Sequence, residues 1–241
     1  MIGDDKGLPT SLAGLFGAAF TLYIRRFSLY GSLAFFAFAV QVLVDLAVMQ
    51  DTGLAIGLNI VVGSFVAAAV SIGVAFDVAR KDADWSTIFN AAALRWGVVA
   101  IVCGIAYLIE QLFWPQVFLP PEETGYGLLL VPFVLLWGAV FMAQVVAAID
   151  PAKSRLTLPF VALAKGLIVS VQLVNLGRLM MFSVLLTLPL IGELLLFAPM
   201  MQARIPDAWF WSQVPLEAIV VGPLQALATV LYIDFLRRAK R

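Results

Sequence analysis

Long apolar runs separated by short polar stretches dominate this chain. A helix that crosses a bilayer needs about 20 mostly apolar residues. Six runs reach that length: residues 28–49, 54–78, 97–117, 127–148, 176–200 and 210–234. A seventh stretch, residues 156–174, comes close and has only Lys165 against it.

Three segments carry a different period. Leu12, Leu15, Phe16, Ala19, Phe20, Tyr23 and Phe27 recur at i, i+3, i+4 and i+7. Trp85, Ile88, Phe89, Ala92, Ala93 and Trp96 do the same, as do Phe160, Leu163, Ala164, Leu167, Ile168 and Val171. This spacing predicts amphipathic helices, each with one apolar face. The opposite face of the first is small or polar: Ser11, Gly14, Gly17, Thr21 and Arg25. Thr10 or Ser11 after Pro9, Asp84 or Ser86 beside Trp85, and Pro159 supply start signals.

Each stripe precedes a pair of apolar runs. The pattern predicts an all-α, polytopic membrane protein with six transmembrane helices and three amphipathic helices. It forms a single membrane domain over residues 1–241. Short anchors, Phe16-Gly17-Ala18-Ala19, Phe89-Asn90-Ala91-Ala92 and Phe160-Val161-Ala162-Leu163, are consistent with a threefold internal repeat. Its units would be 8–80, 81–150 and 151–241, all in one orientation, unlike the inverted repeats of many transporters. A six-span protein with amphipathic linkers and no duplication would give the same pattern.

Charge converts the pattern into a topology. Lys and Arg total 15, and all except Arg204 fall on one side of the six runs. Short loops rich in Lys and Arg stay cytoplasmic, so both termini are expected inside. A seventh span would move Arg237, Arg238, Lys240 and Arg241 outside. Residues 156–174 are therefore expected in the interface or buried against the bundle. The start, Met1-Ile2-Gly3-Asp4-Asp5, lacks the basic opening of a cleavable signal peptide, so the first run is expected to be retained. Arg25, Arg26, Arg95 and Lys165 fall in or beside the amphipathic helices. They form a basic inner collar suited to anionic lipid headgroups.

Composition agrees with the membrane reading. The chain is 63% apolar and 12% charged, with mean hydropathy +1.01, against ~45–50% and ~25% for soluble domains. A net charge of zero gives no general attraction for nucleic acid, and none is expected as a partner. There is no His, which removes the commonest general base and metal ligand. The single Cys103 lies in an apolar run, and no disulfide within the chain can form. No cofactor, metal or catalytic set is expected.

Ionisable residues within apolar runs are candidates for function. They are Asp45, Asp77, Glu110, Glu193, Glu217 and Asp234. Asp77 and Asp234 have Arg80 and Arg237 three residues on, a spacing that allows pairing on one helix face. Glu193 and Glu217 lie in the outer halves of the last two runs, with Arg204 as the one outer cation. They form a candidate site for an ion or a lipid amine; a cluster that only orients the Arg204 loop is the alternative. Trp209, Phe210 and Trp211 fit an interfacial aromatic belt. Gln225 and Asn175 are among the amides expected to bond between helices.

The two ends carry a resemblance. Leu15-Phe16-Gly17-Ala18-Ala19-Phe20-Thr21-Leu22-Tyr23-Ile24-Arg25-Arg26-Phe27 resembles the opening box of the membrane domain of bacterial glycerophosphoryl diester phosphodiesterases and its stand-alone relatives. Gly222-Pro223-Leu224, with Val230-Leu231-Tyr232-Ile233-Asp234-Phe235-Leu236-Arg237-Arg238, is similar to the closing pattern. The third stripe departs, since Pro159 to Gly166 lacks the polar core of that group. The resemblance implies a bacterial inner-membrane location and no catalytic residues, because the phosphodiesterase chemistry belongs to a separate barrel domain.

The expected function is that of a non-enzymatic membrane protein, an accessory or scaffolding subunit contacting lipids and other membrane proteins. The alternative is a small transporter or lipid-handling protein using Glu193 and Glu217. An intramembrane enzyme would need an acid pair or a metal held by carboxylates.

Overall fold

A computed structural model describes residues 8–47, 52–118, 127–150, 158–186, 195, 199, 202–204 and 217–239. Among these residues the chain forms eight α-helices and one π-helical turn, with no strand. The helices are α1 (Leu12–Arg25), α2 (Phe27–Ala47), α3 (Thr52–Val78), α4 (Trp85–Phe118), α5 (Gly127–Ile149), α6 (Leu158–Ser170), α7 (Leu173–Leu185) and α8 (Gly222–Ala239). The π turn, Glu217–Val221, leads directly into α8.

Local chemistry sets the boundaries. Ser11 caps α1, its Oγ accepting the Gly14 N–H at 3.2 Å, and Asp84 caps α4, its Oδ1 accepting the Thr87 N–H at 2.9 Å. Each side chain satisfies a backbone donor that the first helical turn leaves open. At the end of α3 the Lys81 N–H returns to the Phe76 carbonyl, and the Arg80 N–H to the Asp77 carbonyl, both at 3.0 Å. This paired closure requires a left-handed residue, and Arg80 supplies it at φ 51°.

α3 is central. It packs against α2, α4, α5 and α8. Its buried Ala68, Ala69, Val70 and Val74 join Met142, Ala143 and Val146 of α5 and Leu227, Leu231 and Phe235 of α8. The small residues let backbones approach closely, which is how helices gain contact where lipid removes the hydrophobic drive. Within this core the Gln225 amide donates to Ser71 Oγ at 2.8 Å, tying α8 to α3.

Among the described residues, three helices are long and apolar enough to cross a membrane: Ile56–Val78, Trp85–Ile109 and Ile219–Arg238. They match the second, third and sixth predicted runs. Apolar helical stretches Phe27–Ala37 and Leu135–Ile149 fall in the first and fourth runs. α6 and α7 form a pair bent by 104°, a broken span or a re-entrant turn. α6 therefore does not continue straight into a seventh span, and it lies against α5.

Two details differ from the sequence pattern. The second amphipathic segment is no separate helix, because α4 runs unbroken through residues 85–118. No proline and no second cap interrupts Leu94 to Val98 to separate them. The third stripe is split: Phe160, Ile168 and Val171 are exposed and Leu163 and Leu167 pack part-buried against the core, whereas Leu158, Pro159, Ala162, Gly166, Val169 and Ser170 are buried. The reason is steric. A Cβ on Gly166 would lie 2.9 Å from Ala143 Cα, so only the small face of α6 fits against α5.

Candidate functional site at the charged end

α3, α5 and α8 each have a carboxylate near their C-terminal end: Asp77 in the last turn of α3, Asp150 just beyond α5 and Asp234 five residues before the end of α8. Each is held by a cation from another element, and together they define a charged end of the bundle.

Arg26 sits in the one-residue break between α1 and α2. Its Nε donates to Asp77 Oδ2 at 2.8 Å and its Nη2 to Asp77 Oδ1 at 2.7 Å. Its Nη1 donates to the Ala83 carbonyl, also at 2.8 Å. One guanidinium thus ties the start of α2, the end of α3 and the approach to α4. The fork matches the carboxylate in the geometry that makes Arg preferable to Lys at such sites. Hydrogen bonding to Asp77 raises the Arg26 pKa further, against the opposing effect of burial.

Asp234 is almost wholly buried on α8. It accepts from Arg178 of α7, and from Arg238 Nε one turn along α8 at 2.8 Å. Arg178 Nη2 also donates to the Thr10 carbonyl at 2.6 Å, and Arg237 Nη1 to the Leu8 carbonyl at 3.1 Å. This node fastens the segment before α1 onto α7 and α8. At the third node, Lys165 of α6 pairs with Asp150, just beyond α5.

The cations bonded to Asp77 and Asp234 here are Arg26, Arg178 and Arg238, beside the Arg80 and Arg237 that the i+3 spacing points to. Asp77 pairs with Arg26 from the break between α1 and α2, and Asp234 with Arg178 of α7 and Arg238 of its own helix. Asp150 is not among the sequence candidates, yet it carries a signal. Asp77-Arg80, Asp150-Lys153 and Asp234-Arg237 share one spacing, at the ends of the second, fourth and sixth runs.

The remaining candidates are dispersed. Arg25 is exposed in the last turn of α1, and Arg95 is half-buried on α4. Arg204 is exposed, with a left-handed φ of 53°. Glu217 opens the π turn; its side chain lies outside the described residues, as do Glu193, the side chains of Asp45 and Glu110, and Trp209, Phe210 and Trp211. The expected Glu193–Glu217 pair thus falls outside what the structure describes.

Further along the helices that Arg26 ties, α2, α3 and α4 line an open groove of about 290 Å³ with a wholly apolar lining. Phe65 meets Phe89 edge-on at 4.8 Å and Trp96 at 5.7 Å. The Trp96 indole N–H donates to the Val61 carbonyl, and Trp96 also lines the groove. Such a lining offers dispersion and area burial, with no polar group to orient a polar ligand.

The chain matches no family model, no curated protein and no solved structure among known proteins. Its function is therefore argued from the geometry above.

Proposed function

We propose that this chain is a non-enzymatic integral membrane protein whose outer helix faces contact lipid and other membrane proteins, in the manner of an accessory or scaffolding subunit. The observation that carries this reading is the exposure of large apolar side chains on its long apolar helices. Phe36 and Leu94 are each 66% exposed, and Leu108 is 61% exposed. Large apolar side chains left this exposed on apolar helices support a membrane or partner contact.

The absence of His from the sequence supports the non-enzymatic part. So does the engagement of Arg26, Arg178 and Lys165 with carboxylates of this same chain. The finer topology belongs to the same proposal. Six spans would place the charged end and both termini at the cytoplasmic face of a bacterial inner membrane, in line with the Lys and Arg distribution. The resemblance of the two ends to the phosphodiesterase-associated membrane domain supports that location.

Carbonate extraction followed by purification in mild detergent tests the reading. The chain should stay in the membrane pellet and then elute with bound lipid or a second membrane protein. Release by carbonate, or a lipid-free monomer with no companion, would overturn it.

A further inference from the structure

The groove between α2, α3 and α4 lies directly above one of the charged nodes. Arg26 holds together the same ends of the same three helices that wall the groove. Leu33 and Val40 line it from α2, and Val62 and Val66 from α3. At ~1.5 Å per residue these positions lie roughly 10–20 Å along the helices from Arg26 and Asp77. A bilayer hydrocarbon core is about 30 Å thick, so a lipid with its phosphate level with Arg26 would run its acyl chain past this groove.

Charge at the mouth selects the headgroup. Arg26 and Asp77 neutralise one another. Around them Arg25, Arg80 and Lys81 are exposed. Of the two neighbouring acids, Asp84 is engaged at the start of α4, where the helix end favours a negative charge. Among the described residues there, Asp82 and the capping Asp84 thus oppose three cations. The surplus is positive, beside a slot with no polar lining.

We propose that this groove is a binding site for one acyl chain of an anionic phospholipid, with Arg25, Arg80 and Lys81 receiving its phosphate. The inference rests on the membrane reading above and adds the site, the lipid class and the contacts. It gives α2 a fixed neighbour: the chain fills the space that α2 leaves open against α4.

Photo-crosslinking tests it on the full chain in nanodiscs. The probe is phosphatidylglycerol with a diazirine on its acyl chain, competed by unlabelled phosphatidylglycerol or phosphatidylcholine. Label should concentrate on the α2 segment around Phe36 and the α4 segment around Trp96, and phosphatidylglycerol should compete better. Ala93→Phe fills the slot and should lower labelling there severalfold. Arg25→Gln and Lys81→Gln change only exposed side chains, so they keep the test valid should Ala93→Phe misfold. Each should weaken the preference for the anionic lipid about fivefold, the effect of one cation at an anionic surface. Equal competition by both lipids would overturn the proposal and leave unspecific hydrocarbon cover. Labelling spread evenly over all outer faces would overturn it too. A chain that fails to enter the membrane fraction refutes the membrane reading instead, so the two failures are distinguishable.

Discussion

At the residue scale, two side chains decide how the charged end holds together. Arg26 satisfies Asp77 with two parallel bonds and gives a third to the Ala83 carbonyl. Arg26→Gln leaves a largely buried carboxylate without its cation, and removing one member of such a pair costs about 3 kcal/mol or more. Thermal unfolding in detergent should show that loss, and Asp77→Asn in the same chain should recover much of it. An unchanged midpoint for Arg26→Gln would mean that the node contributes nothing. Gly166 is a second sensitive position. Gly166→Leu forces a side chain against the Ala143 backbone and should cost about 1–3 kcal/mol. A Cβ added to Gly177 on α7 would meet nothing within 4 Å, so Gly177→Ala should be neutral or gain about 0.5–1 kcal/mol. Asp84 is an exposed cap whose pKa is lowered by its bonds to Thr87. A carboxyl whose folded pKa is depressed stabilises above its unfolded value and loses that contribution as pH falls through the folded value. The Thr87 amide signal should therefore shift as the solution is acidified below the ordinary carboxylate range, and Asp84→Asn should abolish the shift.

At the scale of elements, much of the helix layout is legible in residue order. Ser11 and Asp84 cap where the start signals place them, and Pro159 lies in the first turn of α6. These are local effects, set by side chains within three residues of the backbone they serve. The facing of α6 is not legible. A stripe of large apolar residues reads as a core face when the reference is water, but lipid accepts Phe160 and Ile168 as readily as protein does. What then decides the packed face is steric fit, and the small Ala162 and Gly166 win. The continuity of α4 is equally hidden, because an amphipathic start and an apolar continuation differ in environment and not in helical propensity. Cross-helix partners are a third class. Arg26 and Asp77 are separated by most of two helices, and no local spacing points from one to the other. A proline inserted at Gly97 tests the unbroken α4. It should break the helix at a cost of about 3 kcal/mol, whereas two separate helices joined there would tolerate it.

For the whole molecule, the central claim is that the charged ends of α3, α5 and α8 lie at a single membrane face, with lipid around the apolar flanks. The Arg26, Lys165 and Arg178 pairs supply internal reasons for those ends to cluster, and in the proposed topology the Lys and Arg bias would turn them to the cytoplasm. In the sequence, the carboxylates of the last two runs stand out as functional candidates because intramembrane charge is rare. The structure draws attention instead to cations already paired and to an apolar slot beside them, features with no motif. Single-cysteine labelling in intact cells tests the claim most directly. Cys103→Ser first removes the native thiol. Cysteines placed at Lys81, Asp150 and Ala239 should then react with an impermeant maleimide only after the membrane is opened, and a cysteine at Arg204 should react from outside. Lys81 and Ala239 labelling from opposite faces would contradict the account.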